Sequence, residues 1–122
     1  MQTLILFAHG ARDPRWAAPF ERLQGILQAR LPSVHVGLAF LEFMTPDLPS
    51  LVEQAVANGS LAVRVVPVFL GQGGHVLRDL PLLLDQLRQA HPTLALTVAQ
   101  AVGEDADVLN AIADYCVGDL AQ

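Results

Sequence analysis

Lysine is missing from this chain: all seven of its basic residues are arginine. That excludes a lysine Schiff base and leaves any basic site to forked guanidinium donors, although codon bias alone accounts for the same absence. A single cysteine, Cys116, excludes an intramolecular disulfide and a cysteine zinc cluster, so a metal would have to be held by histidine and carboxylate. No apolar run reaches the roughly 18 to 20 residues that span a bilayer, and the first residues carry no basic n-region or cleavage site. We therefore expect a cytoplasmic protein with no membrane partner. Positive charge is scarce as well, and a formal charge of −5 argues against nucleic acid, whose binding needs clustered cations.

What is present is apolar and periodic. With 122 residues, 52% of them hydrophobic, residues 1–122 suit one domain with a packed core and no linker. Thr3 to Ala8 reads as a strand, followed by a helical repeat of Trp16, Phe20, Leu23, Leu27 and Leu31. Pro14 fits a first helical turn, Pro19 marks a kink or the start of regular helix, and Pro32 closes the segment. Val34 to Leu41 is a second strand, with Gly37 a point of close approach. Thr45-Pro46 would cap a helix with the stripe Leu48, Leu51, Val52 and Ala55, stopped at Asn58-Gly59. Leu61 to Leu70 is the most continuously apolar strand, with Pro67 near its end or at a bulge. Leu80, Leu83, Leu84 and Leu87 make a third helix that ends at His91-Pro92, and Leu94 to Ala99 a fourth strand. Glu104 to Ala121 is the last helix, its face of Leu109, Ile112, Ala113, Cys116 and Leu120 expected to pack Cys116 into the core.

The order βαβαβαβα implies right-handed crossovers, a mostly parallel sheet with helices on both faces, and functional loops at the strand carboxyl ends. His9 follows the first strand, Glu42 the second, and His75 the third by a few residues. Two imidazoles and a carboxylate suit a first-row divalent metal held weakly enough to be handed on. Gly71, Gly73 and Gly74 let the backbone before His75 approach a ligand, but the loop matches neither Walker nor dinucleotide-binding patterns, so a phosphate site has little support. Arg12 and Arg78 each lie three residues after a site histidine. Either they pair with the adjacent Asp13 and Asp79, or they bind substrate carboxylates. His35 and His91 lie away from this edge and read as structural.

HGARD near the amino terminus, FLEF after the second strand and PVFLGQGGHVLRDLP after the third together resemble the CbiX/SirB family of sirohydrochlorin chelatases. The resemblance implies a chelatase-like three-layer αβα fold with a four-stranded parallel sheet ordered 2-1-3-4. It also implies insertion of cobalt, alternatively iron or nickel, into sirohydrochlorin in cobalamin- or siroheme-type biosynthesis, by a homodimer without an organic cofactor. His9 matches the family's metal ligand and proton acceptor, His75 its second metal ligand, and Glu42 its acidic residue after the second strand; these three are the implied catalytic set. Leu70, Gly71, Gln72, Gly73, Gly74 and His75 match the loop lining the tetrapyrrole, with Arg12, Glu42 and Arg78 as further substrate contacts. Ala11 stands where the family usually has serine, and Thr45 where some relatives have an acid. A noncatalytic carrier of metal or tetrapyrrole would use the same histidines.

Overall fold

The computed structural model describes residues 2–71 and 73–121, with only the backbone described at His75 and Leu77. Strand β1 (Gln2–Ala8) lies between β2 (Val34–Phe40) and β3 (Ala62–Pro67), and β4 (Ala95–Val98) pairs with β3. The order is β2-β1-β3-β4 and every pairing is parallel. The central strands are bulky and apolar because both their faces are covered. Ile5, Phe7, Val63, Val65 and Leu96 pack against α2 (Leu48–Ala57) and α3 (Gly74–Ala90) through Val52, Ala55, Leu80, Leu84 and Leu87. Leu6, Ala8, Leu38 and Phe40 pack on the other face against Trp16, Phe20, Leu23 and Leu27. The last four belong to a short 3-10 turn (Pro14–Ala17) and to α1 (Ala18–Arg30).

The prolines mark element boundaries. Pro14 opens the 3-10 turn under an Asp13 cap, and Pro19 sits in the first turn of α1, so the regular helix starts there. Helix α2 is capped not at Thr45 but two residues later. Asp47 accepts the Ser50 amide at 2.9 Å and Pro49 occupies the first turn. The motif TPDLP offers two cap-plus-proline readings, and aspartate supplies the stronger acceptor. Asn58 caps the other end, with Gly59 at φ 88°. The close approach expected at Gly37 is real: a β-carbon there would press on a Leu51 methyl of α2.

Part of the outer edge of β2 is covered by side chains of α1. From α1, Gln28 Oε1 accepts the Val36 amide (2.9 Å) while Nε2 donates to the Val34 carbonyl (2.7 Å), and Gln24 donates to the Val36 carbonyl (3.0 Å). Two glutamines thus take the place of a neighbouring strand on part of an exposed edge.

The final helix departs from expectation. Helix α4 (Ala106–Leu120) buries none of its residues, and Cys116 is exposed. Leu109, Ile112, Tyr115, Val117 and Leu120 all lie open. The helical spacing is genuine, but among the described residues nothing buries its apolar stripe. Among those residues, too, no helix is long and apolar enough to cross a membrane.

Candidate functional site

Because β1 lies between β2 and β3, the loops carrying His9, Glu42 and His75 leave adjacent strands at the same edge. The β1 and β2 ladders continue past the regular strands, with Leu41 N–H donating to the Ala8 carbonyl at 2.9 Å and Glu42 N–H to the His9 carbonyl at 3.1 Å. Gly10 completes this clasp. Its φ of 89° lies in the left-handed region, and a β-carbon there would land on the Glu42 carbonyl oxygen. The glycine of the His-Gly pair is therefore what lets the first two loops touch.

The His9 ring is half-buried and sits 4.2 Å, centroid to centroid, from Phe69. Phe69 in turn meets Phe7 edge to face at 5.8 Å. Strand β3 ends at Pro67, not Leu70. The chain nevertheless stays extended enough for Val68 N–H to reach the Phe7 carbonyl (2.8 Å), and the alternation of Val65, Pro67 and Phe69 continues inward. Phe69 touches the candidate site through His9, yet in the sequence it is one more member of an apolar run; its inward alternation is the signal that could have found it. Beyond it, Gly103 anchors the loop, donating to the Phe69 carbonyl at 2.9 Å in a space too tight for any side chain against the Leu70 backbone.

Leu70, Gly71, Gly73 and Gly74 are exposed at this edge. Gln72 and the His75 side chain lie outside the described residues; the His75 backbone occupies the first turn of α3, which starts from Gly73 as its cap. Glu42 is exposed. Among the described residues no group of three or more histidine, cysteine or carboxylate side chains gathers to hold a metal. His9 and Glu42 are thus joined through their backbones, and His75 is placed only by its chain position.

Arg12 does not pair with Asp13. Its guanidinium carbon stands 4.8 Å from the centroid of the Phe43 ring, in cation–π contact. Asp13 is taken by Arg15, whose Nη2 donates to Oδ2 at 2.7 Å, and those hydrogen bonds, side chain first and backbone second, hold the Asp13 carboxyl below its ordinary range. Both partners are exposed, so the pair adds little stability. Arg78 is exposed on α3. His35 lies at the far end of β2, and His91 caps the carboxyl end of α3, its N–H donating to the Leu87 carbonyl.

The family model described as CbiX matches residues 3–116. A sirohydrochlorin cobaltochelatase of Methanocaldococcus jannaschii is 37% identical over 93 residues, covering 75% of this chain and 64% of that protein. The chain thus spans less than two thirds of that relative's length. A putative cobalamin biosynthesis CbiX protein from Marinobacter aquaeolei has a crystal structure that superposes with a TM-score of 0.84 at 30% identity, over 99% of this chain and 98% of that one. The sirohydrochlorin chelatase SirB of Bacillus subtilis, in complex with cobalt, shares the fold with a TM-score of 0.79 at 21% identity, over 93% of this chain and 48% of that one. The fold is the chelatase-like α/β sandwich, and with a match running from Thr3 to Cys116 the chain belongs to the CbiX family.

Proposed function

We propose that this chain inserts a divalent metal into sirohydrochlorin, cobalt first and iron or nickel as alternatives, as a step in cobalamin- or siroheme-type tetrapyrrole biosynthesis in the cytoplasm. The observation that carries this reading is the His9–Glu42 clasp at an open sheet edge. Metallation exchanges two pyrrole N–H protons for one dication, so the site must both hold a metal and accept protons. Imidazole does the first without locking the ion in place, and imidazole and carboxylate together do the second. In this mechanism His9 and His75 hold the incoming metal, and His9 and Glu42 receive the protons. The Phe69 ring packs against the His9 ring at 4.2 Å between centroids. The metal is a substrate, and no organic cofactor takes part.

The macrocycle is flat and ringed by carboxylates. The loop from Leu70 through Gly71, Gln72, Gly73 and Gly74 to His75 lines it, and the guanidinium groups of Arg12 and Arg78 orient its acidic arms. Residues 1–122 act as one domain and assemble as a homodimer. The support for the assembly is α4, whose apolar residues have no cover among the described residues.

Anaerobic incubation with sirohydrochlorin and Co²⁺, followed by absorbance, tests the reaction. Metallation faster than the spontaneous rate is expected. Stoichiometric binding of metal or tetrapyrrole without rate enhancement would instead make the protein a carrier.

A further inference from the structure

The turn between β2 and α2 crosses the carboxyl end of the sheet from one helix layer to the other. Leu41 packs into the core beneath α2 and α3, and Met44 into the opposite core beneath α1. Glu42 and Phe43, held between these anchors, are both exposed. Phe43 has a φ of 67°, a left-handed conformation that is costly for a bulky residue and persists where neighbouring contacts impose it. Its side chain is spent on no core: 57% of the residue is open to solvent, and Arg12 stands over its ring. An apolar ring is thus carried outward on a strained backbone one residue from Glu42, and among the described residues it is in ring contact only with Arg12.

We propose that Phe43 is the stacking surface for the flat macrocycle and that Arg12, resting on the ring, is the arm that engages one of its peripheral carboxylates. This rests on the tetrapyrrole reading above. A conjugated macrocycle gains on an aromatic face by offset stacking, independently of what substituents it carries. A guanidinium is weakly hydrated, pairs with a ring face and presents forked donors matched to a carboxylate, so Arg12 can keep its ring contact in the free protein and still read an acidic arm. The backbone clasp between Glu42 and His9 then ties the stacking surface to both proton acceptors. A macrocycle seated on Phe43 lies at the edge where its pyrrole protons are to be removed.

Two tetrapyrroles separate the roles: sirohydrochlorin, and its ester with the carboxylates blocked. Binding of each is followed by fluorescence, and turnover of the free acid by anaerobic metallation. Phe43→Leu should weaken binding of both by about tenfold, with the loss in KM and not in kcat, and Phe43→Trp should restore it. Arg12→Gln should weaken the free acid only. Phe43→Gly suits the left-handed backbone, so its melting temperature should hold while affinity falls, which a merely structural role would not produce. Wild-type affinity in Phe43→Leu, or a loss in Phe43→Trp as large as in Phe43→Leu, overturns the stacking role while leaving the chelatase reading intact. Wild-type protein that binds the tetrapyrrole through Phe43 but does not metallate it overturns the chelatase reading alone. Wild-type protein that binds neither tetrapyrrole overturns both.

Discussion

Replacing Gly10 with alanine attacks the junction on which the site depends. The backbone there holds φ at 89°, and for a residue with a β-carbon the left-handed region costs roughly 1–2 kcal/mol. The new methyl group would also fall on the Glu42 carbonyl oxygen, so the β2–α2 turn must move and the Glu42 N–H bond to the His9 carbonyl is lost, a further cost of about 1 kcal/mol. Together Gly10→Ala should destabilise the fold by about 3 kcal/mol and, by displacing Glu42 from His9, should reduce metallation. Gly25 is the matched control. It lies exposed in α1 with open space where a β-carbon would stand, so Gly25→Ala should stabilise by roughly 0.5–1 kcal/mol through helix propensity. Urea unfolding with unchanged slope measures both. Equal stability of Gly10→Ala and wild type, or a loss in Gly25→Ala as large as in Gly10→Ala, would show that the clasp does not require a glycine at position 10.

Gln28→Ala strips the β2 edge of an acceptor for Val36 N–H and a donor to Val34, and should cost about 1–3 kcal/mol by thermal or urea unfolding. Asp47→Ala removes the α2 cap and should cost about 1 kcal/mol at neutral pH. Hydrogen bonds from Ser50, side chain first and then backbone, depress the Asp47 carboxyl in the folded state. Its contribution is therefore present above the unfolded value near 3.8 and lost as pH falls through the lower folded value, so the gap between variant and wild type should close only in acid below about pH 4. Charging the exposed stripe of α4 with Leu109→Glu and Ile112→Glu should shift the proposed homodimer to monomer in sedimentation equilibrium without unfolding the chain.

The alternation of short apolar runs and helical stripes places all four strands and four helices to within a few residues, because buried parallel strands and amphipathic helices have distinct periods. Proline positions are informative for steric reasons, yet they misplace the start of α2, since TPDLP contains two acceptable caps. Periodicity says which residues of α4 share a face but not what covers that face, and so it wrongly sends Cys116 to the core. At the site, His9 and Glu42 are legible as polar residues ending apolar runs. Their clasp through Gly10, the seat of His9 on Phe69, and the choice of Phe43 over Asp13 as the partner of Arg12 depend on loop geometry that spacing does not encode. Of the two alternatives that spacing leaves open for Arg12, pairing with Asp13 does not form, because Asp13 is already committed to capping the next turn and to Arg15.

In the proposed mechanism His9, Glu42 and His75 work together on one metal and one macrocycle. Single-turnover insertion of Co²⁺ into sirohydrochlorin under anaerobic conditions, compared across wild type, His9→Ala, Glu42→Gln and His75→Ala, tests it most directly. Wild-type insertion is expected well above the spontaneous rate, with a loss on the order of 100-fold or more for His9→Ala, the size expected when a general base is removed, and clear losses for the other two. Wild-type insertion at the spontaneous rate, or full activity in His9→Ala, would contradict it.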